Sequence, residues 1–317
     1  MRSPGHQLAA LAVASLAMVA GGCATDGLDS RPDVGSEADQ LRLGRVHVVL
    51  EPQAERSAGE EPDDTDAFEI SAGFAFVQGF EEDFVRARVG MPVLPTDVLR
   101  PSDCVVSDQL VTAEVSDTLG SDLQELHLVD AGNLSVHIGG QDVDVPLSLV
   151  PDLLPYMHGV EYYYYDDELP AAIGREGGRV VVEASGSQTE ELPPFRVEGL
   201  VPPAMGLHVG EGDLAELADG ALVLRWQAET EGSGLVTVRL TGLQGGEPAG
   251  AELTCVLSDQ GQTRLSFDGL RPLGLMLDAD SLRVTASRLR ASTFDAGDFI
   301  GSELFVERRE TIVLPLR

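Results

Sequence analysis

"ALVLRWQAETEGSGLVTVRL", residues 221–240, alternates apolar and polar side chains on both sides of a short polar stretch. Leu222, Leu224 and Trp226 fall on one face of an extended chain, and Val223, Arg225 and Gln227 on the other, because successive strand side chains point to opposite faces. "TEGSG" is a polar, glycine-containing connection of the kind that joins strands. The same period of two returns in "AELTCVLSD" (251–259), "TRLSF" (263–267), "SLRVTASRL" (281–289) and the final "ETIVLPLR". Six or seven short strands in about 115 residues fit a β-sandwich, with Trp226 buried in it.

Upstream the pattern is similar. "VHVVL" (46–50) places Val46, Val48 and Leu50 on one face, and "FEISAGFAFVQ" (68–78) aligns Ala72, Phe74 and Phe76. "LSVHI" (134–138), "VDVPLSL" (143–149), "RVVVEAS" (179–185) and "FRVEGL" (195–200) follow, separated by Gly, Pro, Asp and Asn clusters that suit turns. "GDLAELADG" (212–220) has room for a turn or two of helix, and helical periodicity is otherwise scarce. Pro193-Pro194 and Pro202-Pro203 bracket "FRVEGLV" and mark a boundary. The expected fold is all-β: two β-sandwich-like units, 41–201 and 202–317, meeting near residues 195 to 205.

The beginning of the chain reads differently. One arginine, Arg2, precedes thirteen residues, Leu8 to Ala20, that are apolar apart from Ser15. That is short of the roughly 20 residues a membrane span needs and suits the apolar region of a secretory signal. Small residues Ala20-Gly21-Gly22 precede Cys23. Residues 23–40 are rich in Asp, Gly and Ser, the composition of a flexible tether. "ERSAGEEPDDTD" (55–66) reads as an acidic loop.

The formal net charge is −32 and there is no lysine. Such a chain repels nucleic acid and anionic headgroups, and leaves divalent cations or basic partners as counterparts. Once Cys23 is set aside, Cys104 and Cys255 remain as an even pair. In an exported, oxidising setting they form a disulfide or stay as two separate buried thiols.

The order of signal, small residues and Cys23 resembles a lipobox, where bacterial lipoproteins are acylated on cysteine and cleaved just before it. The resemblance implies a signal peptide at 1–22, lipidation of Cys23, and, with Ala24 after the cysteine, an address in the outer membrane. Cleavage after Ala24 would instead discard Cys23, and an uncleaved anchor is the third reading. Residues 221–240, with "FDGLRPL" before "SLRVTAS", resemble a fibronectin-type-III or related immunoglobulin-like domain. More broadly, the lipobox, Cys104, "VDAGNLSVHIGG", "VEASG", "PPFRVEGLVPP", Trp226 and Cys255 in this order resemble a group of uncharacterised secreted bacterial lipoproteins. That resemblance implies a fold and an address and carries no activity.

Signatures of catalysis are lacking: there is no GxSxG, HExxH, P-loop or helix-opening GxGxxG, and nothing points to a cofactor. His47, His127 and His137 lie in strand-like runs, where an outward or hydrogen-bonded role is expected. "DDTD" (63–66) and "YDDE" (165–168) offer hard oxygens for Ca²⁺ but lack the spacing of a calcium loop. All five tyrosines lie within 156–165. In a strand, Tyr162 and Tyr164 share one face and Tyr163 and Tyr165 the other. One pair is expected to pack inward and the other to offer an aromatic platform for sugar rings or peptide, with Tyr162 and Tyr164 as the ligand-binding candidates. The expected function is a non-catalytic envelope lipoprotein, held to the membrane by its lipid and binding an envelope protein or glycan, or serving structurally. The alternative is a hydrolase whose carboxylates assemble only in the fold.

Overall fold

The alternating runs become strands in the computed structural model, which describes residues 40–52, 56–57, 65–78, 94–106, 125–154, 157–170, 178–189, 192–210, 213, 221–229, 234–266 and 279–316. The first stretch of chain forms β1 (Gln40–Pro52), β2 (Arg56–Ser57), β3 (Thr65–Gln78), a helical turn α1 (Pro95–Val98), β4 (Cys104–Val106) and β5 (Glu125–Leu128). There follow β6 (Leu134–Ile138), β7 (Gln141–Val145), β8 (Leu147–Leu154), β9 (Met157–Pro170), β10 (Arg179–Ala184) and β11 (Phe195–Leu200). The remainder forms β12 (Ala221–Arg225), β13 (Leu235–Gln244), β14 (Glu247–Ser258), β15 (Gln262–Ser266), β16 (Ser281–Ala296) and β17 (Phe299–Pro315). The all-β expectation holds. No helix among the described residues is long and apolar enough to cross a membrane.

One large sheet runs β4-β14-β13-β16-β17-β1-β3-β5-β9-β8, with β2 beside β17. A four-stranded sheet, β11-β10-β6-β7, and a ribbon, β12-β15, complete the structure. The ribbon and one end of the large sheet enclose a core holding Leu222, Leu224, Trp226, Val238, Cys255, Val284 and Ile312. Its pairings are those of an immunoglobulin-like sandwich. β12 pairs with β15 across an intervening hairpin, taking the places of strands B and E, while β13, β16 and β17 take those of C, F and G. β14 adds the C′ position beside β13, and a bridge between His208 and Arg225 sets the preceding segment where strand A would lie.

The four-stranded sheet packs on the other half of the large one around Val48, Phe68, Ile70, Phe74, Val136, Val182 and Phe195. The β16–β17 hairpin belongs to both cores. Its base supplies Leu282, Val284, Ile312 and Leu314 to the C-terminal core. Its tip supplies Phe294, Phe299, Leu304 and Val306 to the N-terminal one. β1 runs parallel to the tip, from Arg45 opposite Glu303 to Leu50 opposite Arg308. Gly199 lets β11 approach this tip closely: a Cβ there would lie 2.8 Å from a Val306 methyl.

A cut at residue 202 therefore runs through both cores, since the N-terminal one includes Phe294, Phe299, Leu304 and Val306 and the C-terminal one includes Val106. Residues 38–317 form one compact unit. β4, from the first stretch, is an edge strand of the second sandwich, and the hairpin tip returns to the first. Sequence alternation marks strands and is silent on which sheet each one joins. The signal peptide expected at 1–22, Cys23 and nearly all of the tether expected at 23–40 lie outside the described residues, as does the short helix expected at 212–220, Asp213 apart.

The crossover between the cores is fixed by buried charges. Glu310 accepts the backbone N–H groups of Met205 (2.6 Å) and Leu207 (2.8 Å). Arg288 donates to the Gln227 carbonyl at 2.8 Å and to that of Pro203 at 3.2 Å, and pairs with Asp259 at 2.8 Å. Asp259 in turn accepts the Trp226 indole N–H at 2.7 Å. Cys104 and Cys255 sit directly opposite each other on β4 and β14 and are bonded, with Cα atoms 4.0 Å apart.

Candidate functional site

The large sheet has a second face, opposite the cores, on which ionisable and aromatic side chains line up across four strands. On β9, Tyr163 and Tyr165 lie opposite Ser71 and Glu69 of β3. Those residues in turn lie opposite His47 and Val49 of β1. Glu307 and Arg309 of β17 continue the row. His47 Nε2 lies 2.7 Å from Glu307 Oε2. Arg309 Nε donates to Glu307 Oε1 at 3.0 Å, and its Nη1 stands 3.7 Å from Glu51 and 3.8 Å from Glu69.

Burial alone would raise the Glu307 carboxyl, but the His47 hydrogen bond and the Arg309 charge outweigh it and hold the group far below the usual carboxylate range. Burial likewise lowers the Arg309 guanidinium, and the Glu307 charge more than reverses this. Nearby, Arg45 is fully buried. It forms a forked pair with Asp97 at 2.7 and 3.3 Å, reaches Glu303 at 2.8 Å, and stacks 4.8 Å over the Phe305 ring. The pair with Asp97 pins α1 over this part of the sheet. Beneath it a cavity of about 60 Å³ is lined by His47, Pro95, Thr285, Ser287, Glu307 and Arg309. That is room for a few water-sized molecules and not for a sugar ring.

The tyrosines divide by parity as expected, and the inward pair is Tyr162 and Tyr164. Tyr162 is 2% exposed. Its hydroxyl accepts the Ala131 N–H at 2.9 Å and donates toward the Gly132 carbonyl (2.8 Å) and Asp130 (2.9 Å). Burial first, then Asp130, pushes this phenol well up. Tyr164 packs against the N-terminal core, edge-on to Phe68, and donates to Asp166 at 3.0 Å. Neither offers its ring as a platform. The open pair is Tyr163 and Tyr165, 48% and 54% exposed. Partial burial, followed by the charge of Glu69, raises the Tyr163 phenol.

The other site expectations separate. His137, as a strand histidine with a hydrogen-bond partner, lies 2.5 Å from Asp142, which with Glu183 raises its pKa against the opposing effect of burial. Residues 63–64 of "DDTD" and the Glu168 side chain of "YDDE" lie outside the described residues. No group of three or more potential metal ligands occurs among the described residues. A carboxylate-based hydrolase needs one carboxyl kept protonated beside an ionised partner. Glu307 is held ionised, Asp213 is drawn down by its bond to Arg225, and Asp259 and Glu310 are taken up by Arg288 and by backbone amides. Sequence reasoning missed the Glu307–Arg309–Glu69 row, because nothing in the sequence distinguishes these acids among 53.

No family model matches the chain, and no curated protein matches it. Among solved structures, the full ectodomain (Ig1–Ig3) of mouse nectin-like molecule 4 is similar at 11% identity, with a TM-score of 0.19. The match covers 84% of this chain and 62% of that one, so the chain spans less than two thirds of the ectodomain. The immunoglobulin-like assignment rests on the strand pairing above.

Proposed function

We propose that this chain is an envelope lipoprotein, anchored through Cys23 in the outer membrane, that binds a partner through the outer face of its large sheet without catalysing a reaction on it. The observation that carries the reading is the pair Tyr163 and Tyr165, exposed side by side on a stretch of β9 that is paired along one edge with β3, while on the other edge the Tyr163 N–H donates to the Pro146 carbonyl at 3.3 Å. Exposed tyrosines give broad contact area and a hydroxyl at small entropic cost when the backbone beneath them is fixed. Support for the anchor comes from the lipobox at Ala20–Cys23, since acylation by more than one chain gives stable membrane attachment.

Fractionation of cells expressing the full chain tests the anchor. Wild type is expected in the outer membrane and Cys23→Ser in the soluble fraction or as uncut precursor; a mature protein beginning at Thr25 without acyl chains would refute it. A photo-crosslinking residue at position 165 tests the face. Crosslinks are expected there and not at position 247, the exposed first residue of β14 and remote from the tyrosines in the strand order; equal yields at both would refute a specific face.

A further inference from the structure

We propose that the tyrosine-bearing face binds a cationic polypeptide segment, whose arginine or lysine side chains stack on Tyr163 and Tyr165 and pair with the carboxylates around them. This deepens the binding role proposed above and rests on it. Tyr163 and Tyr165 present about half of their surface to solvent on one face of β9. Aromatic rings offer a negative face to cations. Their surroundings are acidic. Glu69 lies directly opposite Tyr165 across the strand pair, and Glu161 occupies the same face of β9 two residues before Tyr163. Glu51 stands one strand further along.

Arg309 is engaged by the buried Glu307, which His47 also contacts, and it stands 3.7 Å from Glu51 and 3.8 Å from Glu69, so Glu51, Glu69 and Glu161 leave the open part of the face acidic. Beyond the patch, a chain of net charge −32 with no lysine draws cationic segments toward it and turns acidic polymers away. A neutral glycan gains the ring stacking but nothing from the field. A segment with alternating basic residues matches the i, i+2 spacing of the two rings, since both repeat at the strand period of two.

The test uses the full chain in detergent and a fluorescent decapeptide of alternating arginine and glycine, followed by anisotropy. Probes of the same length with glutamate replacing arginine, and a neutral gluco-oligosaccharide, serve as comparisons. Wild type is expected to bind the arginine peptide and not the glutamate one, more weakly as salt rises. Tyr163→Ser with Tyr165→Ser is expected to weaken it about tenfold, as the loss of two exposed cation–π contacts implies. Tyr163→Phe with Tyr165→Phe keeps the rings and is expected to retain most of the affinity. An unchanged circular-dichroism spectrum and urea midpoint show that the serine variant is folded. Arginine-peptide binding indifferent to the tyrosines overturns the proposal. Tyrosine-dependent binding of the oligosaccharide alone overturns the cationic partner and keeps the binding face. Tyrosine-independent behaviour of every probe removes the face as well.

Discussion

Trp226, Asp259 and Arg288 show how much of this molecule hangs on single side chains. The indole fills the C-terminal core, its N–H is taken up by Asp259, and Asp259 neutralises an arginine that is 1% exposed. Trp226→Ala is expected to cost about 3–5 kcal/mol, as a large-to-small change in a packed core. Asp259→Ala is expected to cost as much, about 3–5 kcal/mol, because Arg288 is left buried without its counter-charge. Urea unfolding at pH 7 measures both, and a change below about 1 kcal/mol for either would contradict the buried arrangement. Glu307 sets a pH dependence of known sign. Its native carboxyl lies below the unfolded value, so its contribution is present above about pH 4.5 and is lost as the pH falls through that value toward the native one. The stability gap between wild type and Glu307→Gln is therefore expected to be widest near neutrality and to narrow below pH 4.5, read as urea midpoints; a gap that widens on acidification would reject the assignment. At this scale parity was legible and direction was not. Tyr162 and Tyr164 separate from Tyr163 and Tyr165 by alternation alone, but which pair turns inward depends on β9 pairing with β3 so that Tyr162 meets Ala72.

Among the elements, the strands with clean alternation were the readable ones: β6 buries Leu134, Val136 and Ile138 and leaves Ser135 and His137 partly exposed. The β16–β17 hairpin was readable only at its base. Between Arg290 and Glu310 it carries Asp295, Asp298, Glu303, Glu307, Arg308 and Arg309, and so many charges conceal strand character. The structure shows why they are tolerated: Glu303 pairs with Arg45, Glu307 with His47 and Arg309. The disulfide was legible as one of two outcomes for an even pair of cysteines. It ties β4 to β14 across a separation of 151 residues, a loop for which chain entropy gives about 5 kcal/mol as an upper figure. Cys104→Ala with Cys255→Ala is expected to lower stability by up to that amount. Thiol titration of unreduced, unfolded Cys23→Ser protein is expected to find no free thiol, and two would refute the bond.

For the whole molecule, the shared hairpin makes a prediction that two independent sandwiches would not. Domains joined only by a linker unfold separately, and chains of this size need not unfold in one step. Here the N-terminal core closes on Phe294, Phe299, Leu304 and Val306, while the same two strands carry Leu282, Val284, Ile312 and Leu314 into the C-terminal core. Loss of the first core leaves half of each long strand without its packing, and the second core then lacks a rigid F–G pair. Trp226, the chain's single tryptophan, reports on the C-terminal core alone. Phe74 lies in the N-terminal core against Phe195 and Phe299, and Phe74→Ala is expected to remove about 3–5 kcal/mol there. If the hairpin couples the cores, the Trp226 fluorescence transition in urea moves to lower denaturant by the same amount as the circular-dichroism transition, and the two remain superimposed. If the cores are independent, Trp226 keeps its wild-type midpoint while circular dichroism divides into two steps, and the shared sheet would then be a geometric continuity without energetic consequence.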